Sequence, residues 1–290
     1  MKDQIKNIDT IEKLNSLVEH FEIPYKESKD EMWNKISVDI VDHTKSNSMN
    51  VPLMQINFRF AFGLVAILLI GIISFSGLYT RTITAPKGIH LAHILPDNSK
   101  VDLNAETSIR YKPFIWILDR KVALEGEAFF QVEKGDKFNV VSDNGITEVL
   151  GTSFNIFARK DNYKVFCKTG KVKVSSTQTD VDFLIKPGEL VIIDNANKKG
   201  NVQNALSESI ISWKDNKFNF QSESLDKVFE EIGRQYNVHI NAEIGQIEKM
   251  AYSGYFEKNN DAENSLALIC ETFNFNLRKV DNKNYIVSHK

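Results

Sequence analysis

Residues 120–132, which read RKVALEGEAFFQV, carry the pattern that decides the fold. Val122 and Leu124 occupy alternate positions, and Phe138 and Val140 repeat that spacing after a turn. Apolar residues that alternate with polar or charged neighbours are typical of a half-buried β-strand. The stretch therefore predicts a strand, and the residues after the turn predict a second one.

The same period of two extends over about residues 83–193. Turn residues separate the successive runs, and Asn144-Gly145 and Pro187-Gly188 are the clearest of them. Asn-Gly is a strong signal for a tight hairpin. Short strands at this spacing, without a helical pattern, predict an all-β domain over residues 84–200, built as a sandwich, a barrel or a solenoid.

Residues 210–290 alternate between strand and helix patterns. One apolar stripe at helical spacing begins at Leu225 and ends at Tyr236, and a second runs from Ala262 to Phe273. Short strand patterns precede and follow each stripe. The order predicts a small α+β domain of the type βαβ-βαββ.

Residues 60–79, FAFGLVAILLIGIISFSGLY, contain no charged residue, and Arg59 and Arg81 flank them. A helix of about 20 residues spans the roughly 30 Å hydrocarbon core of a bilayer. The run predicts one transmembrane helix within residues 58–80, and hence a multi-domain membrane protein. Basic residues flank both ends equally, so the positive-inside rule gives no orientation.

Residues 1–57 predict a short helical tail that ends in a polar linker. Leu14, Leu17 and Phe21 belong to one stripe at spacings of three and four, and Trp33 and Ile36 belong to a second, shorter pattern. Two such helices bury too little surface to be robust alone. Their apolar stripes favour a protein partner, although a self-contained hairpin that binds nothing fits the same pattern.

The residues that could carry chemistry form no recognisable active site. The chain has no nucleotide-binding loop, no GxSxG and no HExxH, so we expect no enzyme, no cofactor and no metal. His90 and His93 are predicted to point to opposite faces of a strand. We expect Glu125 and Glu127 to be either two solvated glutamates or to include one that hydrogen-bonds a turn.

The cysteine count and the charge exclude two further classes. Cys167 and Cys270 form no CxxC pair, so they are either free buried thiols or one long-range disulfide. The formal net charge is only -2. Proteins that bind nucleic acid usually carry a basic excess, so direct nucleic-acid binding is not expected.

Several of these stretches resemble motifs of FecR-type anti-sigma regulators. Residues 94–104 (ILPDNSKVDLN) are similar to the family's LPDGS-x-V-x-LN, and residues 120–132 to its R-x-V-x-L-x-GEA-x-F-x-V. Residues 149–156 (VLGTSFNI) and 184–189 (LIKPGE) resemble VLGT-x-FNV and L-x-PGE. Asn98 replaces the family's glycine, and asparagine tolerates left-handed turn geometry.

The resemblance implies that these motif residues are structural. They are Leu95, Pro96, Asp97, Gly126, Glu127, Gly151, Thr152, Phe154, Pro187 and Gly188. Some members of the family are reported to cleave themselves at the bond that corresponds to Gly151-Thr152. The alternative is that Gly-Thr is only a tight entry into a strand.

The resemblance also implies partners and a location. The tail would bind an extracytoplasmic-function sigma factor in the cytoplasm, through Leu14, Leu17, Phe21, Trp33 and Ile36. The domains at 84–200 and 210–290 would lie in the periplasm and receive a signal from a TonB-dependent outer-membrane transporter for iron chelates or glycans. Site proteases would release the tail from the inner membrane.

The segment from Trp213 to Ile240 extends the resemblance toward the C-terminus. It is similar to the C-terminal domain of members from Bacteroidetes-type bacteria, which is itself similar to the short N-terminal domain of secretins and TonB-dependent transporters. A membrane-anchored envelope scaffold without a sigma partner is the alternative function.

Overall fold

The structure is a computed structural model that describes residues 28–43, 58–178, 181–195, 197–258 and 261–290. Two compact units divide the chain, Met1–Leu64 and Val65–Lys290. The predicted stripe that contains Leu14, Leu17 and Phe21 lies outside the described residues.

Helix α1 (Lys29–His43) is the described element of the first unit. A reciprocal pair of hydrogen bonds forms its N-terminal cap. The backbone N–H of Ser28 donates to the Glu31 carboxylate at 3.0 Å, and the N–H of Glu31 donates to the Ser28 hydroxyl at 3.3 Å. This capping box satisfies two donors that the first turn of a helix otherwise leaves free, so the start of α1 is fixed by its own sequence.

Helix α2 (Phe58–Leu78) forms over the apolar run. In the part of the chain that the structure describes, however, no helix is both long enough and apolar enough to cross a membrane. The prediction of a single transmembrane helix is therefore wrong for this structure.

Thirteen strands form the β domain. They are β1 (Arg81–Ala85), β2 (Leu91–Ile94), β3 (Lys100–Leu103), β4 (Thr107–Tyr111), β5 (Arg120–Gln131), β6 (Phe138–Val141), β7 (Gly145–Val149), β8 (Ser153–Arg159), β9 (Asn162–Thr169), β10 (Val172–Ser176), β11 (Asp182–Ile185), β12 (Glu189–Asp194) and β13 (Lys199–Asn204).

The long strand β5 belongs to two groups of strands. Its first half pairs with β4 and, in parallel, with β6, and this group continues through β7 and β10 to β11. Its second half pairs with β3 and β8, and this group continues through β9 and β12 to β13. Side chains from both groups pack into one hydrophobic core, in which the rings of Phe130 and Phe154 stack 5.2 Å apart.

Gly126 lies where β5 passes from the first group to the second. Its φ is +114°, and a Cβ there would lie 2.5 Å from the Thr107 hydroxyl and 2.8 Å from the Thr107 Cα. Both the backbone conformation and the lack of space require glycine. The Gly-Glu-Ala part of the motif is therefore fixed by the change of direction in β5.

The C-terminal domain follows a short helix α3 (Ser207–Ile210). Its elements are β14 (Lys217–Ser224), α4 (Leu225–Tyr236), β15 (His239–Glu243), β16 (Ala251–Glu257), α5 (Ala262–Phe273), β17 (Phe275–Lys279) and β18 (Asn284–His289). This is the predicted order of strands and helices. β14 pairs with β16, and β18 pairs in parallel with β15 and antiparallel with β17. Both helices pack on a core of their own.

The two cysteines lie in different domains, and both are free and buried. Burial raises the pKa of the Cys167 thiol and of the Cys270 thiol to about 11. Of the two readings of the sequence, the free buried thiols are confirmed and the long-range disulfide is wrong.

Candidate functional site

The predicted contact residues Trp33 and Ile36 lie one turn apart on α1. Their exposed fractions are 62% for Trp33 and 43% for Ile36. Residues three apart lie on one face of a helix. A capped helix that exposes a tryptophan and an isoleucine side by side presents an apolar contact face, and buried aromatic residues often dominate the binding energy of an interface.

The Leu-Pro-Asp motif forms a turn that Arg120 holds in place. Asn98 adopts a left-handed conformation with φ 66°, which confirms the expectation from its residue type. Asp97 accepts hydrogen bonds from the backbone N–H and the hydroxyl of Ser99 at 3.1 and 2.9 Å. The Arg120 guanidinium, nearly buried, donates to Asp97 at 2.8 Å and to the Glu133 carbonyl at 2.9 Å. These contacts connect three loops, which is a structural role.

The Gly151-Thr152 bond lies at the entry to β8. A Cβ on Gly151 would lie 2.9 Å from the Lys134 Cα, so this position has no room for a side chain. The Thr152 hydroxyl is buried and donates to the Lys171 carbonyl at 3.2 Å. Self-cleavage at this bond stays a prediction.

A buried polar network connects the β domain to the C-terminal domain, and we call it the polar joint. Its members are Asn104, Glu127, Asn155, Gln235, His90 and Trp213. Glu127 is its centre, because one carboxylate oxygen accepts from the Asn104 amide at 2.8 Å and the other from the Asn155 amide at 2.9 Å. Glu125, its neighbour on β5, is exposed. The two glutamates therefore do not form an acid–base pair. Glu127 instead accepts a hydrogen bond from Asn104, which lies in the loop after β3.

Two donors that cannot act as acceptors fix the orientation of both asparagine amides. The backbone N–H of Ala105 donates to Asn104 Oδ1 at 2.7 Å, and the Trp213 indole N–H donates to Asn155 Oδ1 at 3.3 Å. Each amide oxygen must face its donor, so each NH2 group must face Glu127. Each oxygen at position 127 therefore accepts from one asparagine, and the remaining lone pairs leave room for a proton.

Gln235 on α4 extends the network across the two domains. Its NH2 group donates to Asn104 Oδ1 at 2.7 Å and to the Glu231 carboxylate at 2.8 Å. Its carbonyl oxygen then faces His90 Nε2 at 2.9 Å. Since that oxygen can only accept, His90 carries its proton on Nε2. The His90 ring also packs edge-on against Trp213, with centroids 5.4 Å apart.

Burial shifts the pKa of two members of the joint. The loss of water around the Glu127 carboxyl raises its pKa, the nearby Glu231 charge adds to the rise, and the two asparagine donors oppose it. Burial likewise lowers the pKa of His90, so its neutral form is favoured. His93 lies elsewhere and bonds the Tyr111 hydroxyl at 2.9 Å, so the two histidines share no site.

Charged pairs surround the joint. Lys214 lies 2.6 Å from Asp102 and its ammonium lies 4.2 Å from the centroid of the Phe129 ring. Lys160 forms an ion pair with Glu230 of α4. Such partly exposed pairs contribute little to stability, so we assign the hold on the C-terminal domain to the buried amides. A cleft of about 1190 Å³ opens beside them, lined by both domains.

The sequence did not single out the joint as a site. Asn155 follows the apolar Phe154 and precedes Ile156, and a polar residue in such a run is the one local signal that it bonds a buried partner. Gln235 lies on the buried side of α4 and is 3% exposed. Its partner Asn104 is 131 residues away in sequence, which no local pattern can indicate.

Comparison with known proteins agrees with this architecture. The family described as "FecR protein" matches residues 81–173, and the one described as "FecR, C-terminal" matches residues 217–287. A crystal structure of a candidate anti-sigma factor from Parabacteroides distasonis is 27% identical, with a TM-score of 0.67 over 73% of this chain and 100% of that chain. A second structure described in the same words is 26% identical, with a TM-score of 0.67, and the match covers 72% of this chain and 99% of that chain. No curated protein matches.

The β domain and its attached βαβ-βαββ domain define the class, which is that of the sigma-factor regulators. Within that class, the chain belongs to the FecR family of anti-sigma factors, and the two family matches together cover more than half of its length.

Proposed function

We propose that this chain binds an extracytoplasmic-function sigma factor through the exposed face of α1. The observation that carries the proposal is the pair Trp33 and Ile36, which a capped helix holds side by side in solvent. Apolar side chains at this spacing bind the groove of a partner in helix-in-groove recognition. The sequence-predicted stripe of Leu14, Leu17 and Phe21 would extend the same contact.

The second part of the proposal is that the C-terminal domain receives the activating signal from the signalling domain of a TonB-dependent transporter. The family membership supports a signalling role, and the polar joint gives the domain a defined attachment to the β domain. A partner that binds the C-terminal domain more tightly when the joint is open would shift the joint toward the open state. Release of the tail by proteases would follow that change.

A binding experiment tests the first part. Each extracytoplasmic-function sigma factor of the source genome is titrated with the full chain by calorimetry. We expect one of them to bind, and Trp33→Ala to weaken it by about 30-fold, because a buried tryptophan at the centre of an interface is worth about 2 kcal/mol or more.

Asn34→Ala is the matched control, since Asn34 is an exposed neighbour on the same turn. It should bind like the parent chain. If no sigma factor binds the intact chain, or if Asn34→Ala weakens binding as much as Trp33→Ala, the proposed contact face is wrong.

We further propose that the chain is not an enzyme, apart from the predicted self-cleavage. The support is the separation of the two candidate carboxylates, since Glu127 is buried in the polar joint and Glu125 is exposed. Acid–base catalysis by such a pair needs both groups within reach of one substrate.

A further inference from the structure

The loop between β4 and β5 exposes three large apolar side chains, which we call the apolar tip. The exposed fractions are 60% for Phe114, 93% for Ile117 and 87% for Leu118. Isolated exposed apolar residues are ordinary, but three on one short loop form a patch. Nothing in the sigma-binding or signal-receiving role uses this loop.

The tip is held out by a rigid base. Trp116 is buried between its exposed neighbours, and its ring packs edge-on against Tyr111 at 5.5 Å and Phe138 at 5.8 Å. The backbone N–H groups of Leu118 and Asp119 both donate to the Ile115 carbonyl, at 2.9 and 3.0 Å. A loop built in this way cannot fold its isoleucine and leucine inward, so the exposure is a fixed feature of the domain.

Aromatic side chains support one flank of the tip. The Phe114 ring lies 5.3 Å from the Tyr79 ring and 6.3 Å from the Phe75 ring, at the end of α2. A tyrosine beside exposed phenylalanine and aliphatic residues is the combination that favours the boundary between lipid headgroups and acyl chains, because its ring is apolar and its hydroxyl is polar.

The end of the β domain that carries the tip is also basic. The Arg120 contacts with Asp97 and the Glu133 carbonyl place the loops after β2 and β5 at this same end. Exposed cations here outnumber exposed acids. The cations are Arg81, Lys100, Lys112, Lys121, Lys134 and Lys171, and the acids are Asp119, Glu133 and Asp136. Lys137 and the half-buried Glu148 form an ion pair with each other.

We propose that the apolar tip inserts into the surface of an anionic lipid bilayer and that the surrounding lysines contact the lipid phosphates. An apolar wedge gains free energy by leaving water for the acyl boundary, and each nearby cation adds attraction to the negative surface. Charge complementarity decides between occupants, because the rim of the tip is basic and anionic headgroups supply the opposite charge over the whole surface. A protein partner would have to present a matching acidic rim.

A local fluorescence experiment on the full chain tests this contact. An environment-sensitive dye is attached at Asp119→Cys, next to the tip, and in a second sample at Asp143→Cys. Strand β6 runs in parallel with the first half of β5, away from the tip, so position 143 lies at the opposite end of the domain. The two native thiols are buried and should label slowly. The vesicles contain phosphatidylcholine, alone or with phosphatidylglycerol.

We expect the dye at 119 to brighten at least about twofold on mixed vesicles and to be quenched by lipids labelled in the upper acyl chain, and the dye at 143 to change little. The end of α2 lies beside the tip, and lipid contact by its exposed apolar side chains could also brighten this dye. Ile117→Ser with Leu118→Ser should abolish the signal at 119, whereas Ile146→Ser, an exposed apolar residue far from the tip, should not. The double serine variant separates the two contacts, because it changes the tip and leaves α2 unchanged.

Three results would overturn the proposal. They are an unchanged dye at 119 on mixed vesicles, an equal response at 143, and a full signal in the double serine variant. Circular dichroism of each variant checks that it is folded. An equal response on vesicles without phosphatidylglycerol would refute the role of the lysines. A signal at 119 that appears only with an added protein, and not with lipid, would assign the tip to a protein partner.

Discussion

Substitution of Gln235 by leucine separates the polar joint from the packing around it. Leucine keeps most of the buried volume of glutamine but removes the hydrogen bonds to Asn104 at 2.7 Å and from His90 at 2.9 Å. Both bonds cross from α4 to the β domain. The third bond, to Glu231, lies within α4 and does not contribute to the attachment.

The expected loss follows from those two bonds. A neutral hydrogen bond contributes about 0.5–1.5 kcal/mol net to stability, so the loss of two lowers the free energy of opening the joint by about 1–3 kcal/mol. At about 1.4 kcal/mol for each factor of ten, the opening equilibrium should increase roughly 5- to 150-fold. The C-terminal domain itself should remain folded, because its core does not involve Gln235.

Hydrogen exchange measured by mass spectrometry detects this opening. Peptides that contain the buried contacts around Trp213 and Asn104 should exchange faster in the variant, by the factor given above. Gln221→Leu is the control, since Gln221 is exposed and its bond to Ser209 of α3 is not part of the polar joint. Equal exchange in Gln235→Leu and the parent chain would refute the claim that buried amides hold the two domains together.

Three further predictions concern the motif residues. Gly188→Ala, at φ +85° with open space around it, should lower the free energy of unfolding in urea by about 1–3 kcal/mol. Gly126→Ala should lower it further, because the added Cβ also collides with Thr107. Equal losses of stability in the two variants would contradict the geometry. Burial raises the folded-state pKa of Glu127 above its ordinary 4.5, so the free energy of unfolding should be greatest below pH 4.5 and fall as the pH rises through the folded-state pKa. Glu127→Gln should remove this fall. Parallel pH profiles of unfolding for the variant and the parent chain would contradict the assignment. Mass spectrometry of the purified chain should detect cleavage between Gly151 and Thr152 that Thr152→Ala abolishes, and an intact parent chain would refute self-cleavage.

Local patterns were sufficient for the strands and helices. Val122 and Leu124 are buried, whereas Lys121, which precedes them, is exposed. This alternation is what the period of two requires. The stripe from Leu225 to Tyr236 forms α4 with its apolar side buried. These predictions succeed because each depends on residues a few positions apart, and their spacing indicates which face of the strand or helix is buried.

The joint could not be predicted in this way. Asn104, Glu127 and Asn155 are polar residues that the tertiary structure removes from water, and the hydrogen bonds that join their side chains connect residues at least 23 positions apart. The transmembrane prediction was also wrong, because in the described part of the chain no helix is both long enough and apolar enough to cross a membrane.

The central claim is that this chain regulates a sigma factor through the face of α1 that carries Trp33 and Ile36. RNA sequencing of a strain that lacks the gene, complemented with the parent chain or with Trp33→Ala and Ile36→Ala together, tests it most directly. We predict that the transcripts of one sigma factor's promoters change on deletion, that the parent chain restores them, and that the double variant does not. Unchanged transcripts at every sigma-dependent promoter, or full restoration by the double variant, would contradict the claim.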